Sequence, residues 1–390
     1  MIAGEWNHSR MTDLTMDPAT ATRWVVLGAL LLGLVLGAGG NATRFCVRGA
    51  IADLVLARSP GRLAGWLLAV MVAMVGVQLL IALGLFDASR TLAWSPRLPW
   101  LSYLAGGAIF GFGMMLGGGC PQRNLVKSGS GDLRALVTLV VTAIAALMTL
   151  RGMFAPWRVE GLDRVMIELG APQDLGSLLT AFAPGTVRAI VMALAMAATL
   201  AWVWRHRRGV RAADAWGGVL IGLCVPAAFW LTGWLGYLAE HPETLEQAWL
   251  GTQSRRPEGL SFVAPLAHAL DLLTLWTDRN TVATFGVMLA LGVLLGSFAW
   301  ARARGDWRLQ GFSNPRELLL HLGGGVLMGF GGVTALGCTL GNGVTGLAML
   351  SAGAVLATGG IVAGALVALR LRLNHEATGL ASVPNKLMTN

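Results

Sequence analysis

The stretch 106–127, GGAIFGFGMMLGGGCPQRNLVK, returns near the C-terminus at a displacement of 218 residues and without a gap. Gly106, Gly107, Gly111, Phe112, Gly113, Gly119, Cys120, Asn124 and Val126 fall on identical residues, the last three on Cys338, Asn342 and Val344. Glycines coincide by chance in a chain that holds 53 of them, but Phe, Cys and Asn falling in step argue against chance. Self-similarity at a fixed displacement is the signature of a repeated architecture. Any fold for this chain must therefore contain two similar halves, each with one cysteine placed after a glycine run.

Composition decides the solvent in which those halves fold. The chain is 55% hydrophobic and 13% charged, about half the charge share of a soluble domain. Apolar runs near twenty residues recur along its length, the span of a bilayer core. The expected class is an all-α integral membrane protein whose partner along the spans is lipid. Its glycines suit close helix packing and irregular backbone lining a cavity. The net charge of +9 sits in short clusters at the ends of apolar runs. Positive-inside topology places them there, so nucleic acid is not the partner. Four cysteines in 390 residues make no disulfide scaffold, and no CxxC or Cys/His spacing of the zinc type occurs. No GxxxxGK[ST] loop is present either, so no nucleotide, metal or other cofactor is expected.

In chain order, residues 1–23 read as a polar tail, 24–150 as a first membrane repeat and 151–214 as a connecting loop with a linker span. A second repeat occupies 215–370 and a short tail 371–390. Spans are expected at about 24–39, 63–86, 101–118, 133–150, 187–204, 216–238, 281–302, 318–336 and 347–369. The clusters Arg58/Arg62, 205–211, Arg302/Arg304/Arg308 and Arg370/Arg372 can all lie in the cytoplasm if there are about nine spans. The segments around Cys46, Cys120 and Cys338 must then dip into the membrane as short re-entrant helices. The span 187–204 becomes a linker, with four spans on either side entering in opposite senses. That is an inverted-topology repeat, which puts a site at the midplane between the halves. The acid-rich loop 240–278 falls outside the cell in this arrangement.

The cysteine segments carry the chemistry. Cys120 precedes Pro121, and proline favours the first position of a helix. Cys120 is thus the expected N-cap of a short helix, its sulfur facing backbone N–H groups and the positive dipole end. Arg123, Asn124 and Lys127 follow within two turns, an arrangement that attracts an anion. Cys46 lies between Arg44 and Arg48, and Cys338 stands among the uncharged donors Thr339, Asn342 and Thr345. Plainer readings exist for each feature. A buried cysteine is ordinarily a small core residue, the reading adopted for Cys224 in GVLIGLCVPAAFW. Membrane arginines commonly snorkel to an interface, and glycine runs commonly serve packing.

The segments RFCVRGAIADL, GFGMMLGGGCPQRNLVKSGSG and GFGGVTALGCTLGNGVTG resemble the three cysteine motifs of the YeeE/YedE membrane family of thiosulfate-uptake transporters. The resemblance implies a nine-span fold in the bacterial inner membrane, with Cys46, Cys120 and Cys338 lining a narrow route for a sulfur-containing anion. It also implies a small cytoplasmic sulfur-carrier protein as partner and no enzymatic activity. A selenium compound is the alternative cargo, through the YedE branch. This chain departs from the family in its long loops, 151–185 and 240–279, and its longer N-terminal tail. Two other functions compete with uptake. A membrane sulfurtransferase would take up the terminal sulfur as a cysteine persulfide, which requires a thiolate. A soft-metal channel would use the three thiols as ligands, but the flanking cations oppose it.

Overall fold

A backbone in hydrocarbon must satisfy its own N–H and C=O groups, so apolar runs of this length become helices. The computed structural model describes residues 17–381 except 181, 243, 244, 279 and 280. Among these, nine helices are long and apolar enough to cross a membrane.

The first half contains α1 (Pro18–Thr43), α2 (Val47–Leu56), α3 (Gly61–Ala82), α4 (Trp100–Leu116), α5 (Pro121–Gly129) and α6 (Leu133–Arg151). A connection with the short α7 (Leu175–Leu179) leads to α8 (Pro184–Arg205). The second half runs through α9 (Ala212–Trp230), α10 (Val263–Thr274), α11 (Phe285–Arg304), α12 (Pro315–Thr334), a π-helical turn Gly341–Gly346 and α13 (Ala352–Ala381). Proline at the helix start lets α1 begin at Pro18, ahead of the apolar run at Trp24. Residues 18–23 of the expected tail thus belong to α1, and residues 1–16 lie outside the described residues. The last helix starts at Ala352 and not at residue 347, because the glycines of 341–346 wind a separate turn first.

The 218-residue displacement carries α4 onto α12, α5 onto the π-helical turn and α6 onto α13. It also carries α2 onto α10, a short helix that no cysteine marks. Packing follows the same exchange. Helix α1 lies along α11 and α3 along α9; α4 lies along α13 and α6 along α12. Helices α4 and α12 cross at the centre. At these crossings glycine stands against backbone, as Gly33 against Gly292 and Gly218 against Gly65. Helix α8 has no fully buried residue and touches the core only through the partly buried Val191, Met192 and Ala195.

The long connections fold over one end of the bundle. Arg97–Leu98 pairs with Ile167–Glu168, and Tyr237–Leu238 with Ala248–Trp249, both antiparallel. Asp174 is fully buried, caps α7 through Ser177 N and pairs with Arg188 at 2.8 Å, tying the connection to α8.

Candidate functional site

Cys120 occupies the N-cap of α5 with Pro121 at the first helical position, as the sequence requires. The chain reaches it through a left-handed turn at Gly118, φ 73°, which glycine adopts without strain. At the equivalent place the second half uses Leu336 with φ 54°. Asn124 then clasps the incoming loop, its Nδ2 donating to Gly117 O at 3.3 Å and Gly119 O at 3.2 Å. Asn342 repeats the clasp on Ala335 O at 2.9 Å, the residue equivalent to Gly117. The asparagines that match in the repeat are therefore structural clamps on the two cysteine loops.

The sulfurs differ in their partners. Cys338 is buried and its sulfur accepts from Gly341 N at 3.4 Å. Cys46, half-buried at the N-cap of α2, accepts from Gly49 N at 3.3 Å. Cys120 stands at the N-cap of α5 without a side-chain capping hydrogen bond. The Cys120 thiol instead has Cys46 and Cys338 within electrostatic range and the Thr339 side chain beside it. The Thr339 hydroxyl is buried without a hydrogen-bond partner. Cys224 lies apart, buried among the apolar residues of α9.

Two cations meet on the loop before Cys120, and a third reaches the end of α1. Lys127 Nζ donates to Gly118 O at 2.8 Å, Arg48 Nη1 approaches the same oxygen at 3.5 Å, and Arg123 Nη1 donates to Gly40 O at 3.3 Å. Arg44 closes α1 in a left-handed conformation and is exposed, so it stands at the rim. Thr345 donates to Leu260 O at 3.3 Å, which joins the turn after Cys338 to the loop before α10.

Several residues that hold this centre together escaped the sequence reading. Asn41 Nδ2 donates to Ser130 Oγ and Ser297 Oγ, both at 2.9 Å, joining α1, the end of α5 and α11. Trp66 Nε1 donates to Gly343 O at 2.9 Å, and His321 Nδ1 pairs with Thr138 Oγ1 at 2.7 Å. Asn41 and Ser297 carried a usable signal, polar side chains inside apolar spans; Trp66 carried none.

At the end covered by the long connections, a cavity of about 500 Å³ is lined by Arg151, Arg158, Glu258 and His268 and reaches Gly337, Gly341 and Asn342 around Cys338. Cys46 shares a small niche with Arg62, Ala213 and Asp214, close to the basic 205–211 segment. Three thiols that served one metal ion would have to converge on a point; among the described residues no group of three His, Cys, Asp or Glu does so.

Comparison with known proteins finds relatives over most of the chain. The thiosulfate transporter TsuA of Escherichia coli is 26% identical over 336 residues, 84% of this chain and 89% of its own length. TsuA of Spirochaeta thermophila is 24% identical over 335 residues, 84% of this chain and 93% of its own. The family model described as Sulphur transport (YeeE/YedE) matches residues 42–367. The chain belongs to that sulphur transport family.

Proposed function

We propose that this protein takes up thiosulfate or a closely related sulfur-containing anion across the bacterial inner membrane, passing Cys338, Cys120 and Cys46 in that order. One observation carries the reading. Gly337 and Gly341, which flank the Cys338 turn, line the cavity at one end, Cys46 lies near the basic segment at the other, and buried Cys120 has both cysteines within electrostatic range. The naming of two relatives as thiosulfate transporters supports the cargo and a transporter in place of an enzyme.

In this reading the thiols work as neutral donors. Thiosulfate carries two negative charges, and a thiolate in its path would repel it. An S–H group offers its proton to the terminal sulfur, a weak bond between soft atoms that forms and breaks readily. At Cys46 and Cys338 a backbone N–H occupies a lone pair of the sulfur, which leaves the S–H proton free for the anion. Lys127, Arg123 and Arg48 supply positive potential near the midpoint while bonded to carbonyls, so they attract without binding irreversibly.

The inverted repeat belongs to the same proposal. Each span of the first half stands five spans before its equivalent, and an odd number of crossings reverses the direction of insertion. With 205–211 in the cytoplasm, the cavity opens outward. A cysteine probe placed at Arg208 should be labelled from the cytoplasmic side alone; labelling from outside in intact cells would reverse the orientation. Uptake itself is tested in a host lacking its own importers. Thiosulfate should accumulate and sulfate should not. Equal uptake of sulfate would remove the role of the sulfur contacts.

A further inference from the structure

The cavity above Cys338 is built largely by the long connections, and its charges are unevenly neutralised. Arg151 pairs with Asp271 at 3.1 Å, and His268 approaches the same carboxylate at 3.4 Å. Arg158 reaches Asp163 only at 3.7 Å, while Asp163 accepts a closer bond from Ser102 Oγ at 2.6 Å. The Arg158 Nε is buried without a hydrogen-bond partner. Thr284, also on the wall, has a buried hydroxyl without one. Arg158 is thus a cation whose hydrogen-bonding capacity is incompletely used in a space large enough for a small oxyanion.

Glu258 is the one acidic side chain on the cavity wall among the described residues. Its Oε1 accepts from Ser254 N at 2.8 Å and Ser254 Oγ at 2.7 Å. Among the described residues no cation forms a salt bridge with it; the charged or titratable groups on the other walls are Arg151, Arg158, His268 and Tyr103. A dianion held in 500 Å³ is close to every wall, so an ionised Glu258 would repel it.

We propose that this cavity is a loading site for a dianionic sulfur oxyanion, held by Arg158 and Arg151, and that the site fills when Glu258 is protonated. This rests on the transport reading for the identity of the anion. Burial raises the Glu258 carboxyl above the usual range, which brings its neutral form toward ambient pH. Binding of the anion and uptake of a proton are then linked: each favours the other. The neutral carboxyl keeps its acceptor role toward Ser254, so the loop need not move when the proton arrives.

The test is thiosulfate binding to the purified full-length protein by isothermal titration between pH 5.5 and 8, in a Cys120→Ser background that leaves the cavity walls untouched. Affinity should fall as pH rises, approaching about tenfold per pH unit above the Glu258 pKa. Glu258→Gln should bind with the low-pH affinity at every pH, and Glu258→Asp should keep a pH dependence. Arg158→Gln should weaken binding about tenfold or more at all pH values. Thermal unfolding of each variant verifies that it is folded. The proposal is overturned if thiosulfate does not bind, if Glu258→Gln keeps the parental pH dependence, or if Arg158→Gln binds as tightly as the parent. Normal cellular uptake by Glu258→Gln and Arg158→Gln proteins that retain Cys120, with unaltered binding, would remove this site and leave transport standing. Linked binding, with no thiosulfate uptake by the protein that retains all four cysteines, would do the reverse.

Discussion

Cys120→Ser and Cys338→Ser should each reduce thiosulfate uptake at least about tenfold, the loss of about 1.4 kcal/mol at the barrier. Serine keeps an O–H donor in nearly the same volume, so the substitution isolates one property, the replacement of a soft polarizable sulfur by a hard oxygen. At Cys338 the oxygen can still accept from Gly341 N, so the local backbone loses little. At Cys120 no capping bond exists to be lost. Cys46→Ser should impair uptake as well. Cys224→Ser, in an apolar wall of α9, should be near neutral. The measurement is initial uptake rate, normalised to protein in the membrane. Full rates from correctly inserted Cys120→Ser and Cys338→Ser proteins would end the cysteine pathway. Loss at one and not the other would replace it with a single asymmetric binding site.

Gly364→Ala and Gly111→Ala should each prevent accumulation of folded protein, although alanine is the better helix former. A Cβ at Gly364 would run into the carbonyl oxygen of Ala108, and one at Gly111 into that of Ile361. Backbone cannot swing aside as a side chain can, so α4 and α13 would have to separate along their length. Overpacking of this kind costs about 1–3 kcal/mol or more. Gly359 provides the control on the same helix, because a Cβ there has no heavy atom within 4 Å. Gly359→Ala should be neutral or stabilising by up to ~1 kcal/mol from helix propensity. Detergent-solubilised abundance and thermal midpoints distinguish the cases. Equal behaviour of Gly359→Ala and Gly364→Ala would show that the crossing is looser than described.

The sequence reading was strongest where composition or a covalent constraint left one solution. Apolar length disclosed the nine spans, and Pro121 disclosed both the start of α5 and Cys120 at its N-cap. The repeat disclosed matched places for Cys120 and Cys338. It did not disclose that Asn124 and Asn342 clasp the loops before the cysteines through bonds to Gly117 O and Ala335 O. Helix α10 was hidden for a related reason. It corresponds to α2 but has Ala264 where α2 has Cys46, so no distinctive residue marks it. The cavity was illegible altogether. Arg151 and Arg158 lie at and after the end of α6, Glu258 precedes α10 and Thr284 caps α11, and nothing in the sequence says that these places meet.

The exchange of partners between halves has a consequence for how the chain is made. Helix α1 packs on α11 and α3 on α9, so the first half emerges from the ribosome before its principal neighbours exist. Gly33 and Gly37 must wait for α11, and Asn41 for Ser297, with lipid or one another as provisional company. Such a molecule cannot mature from its N-terminus forward. Its decisive contacts are distant in sequence and form late, which slows assembly and prolongs exposure of unpaired polar groups inside the bilayer. The small residues that permit the finished crossings are then also a timing device, since α1 has little large-residue surface on that stripe with which to settle on a wrong neighbour while it waits.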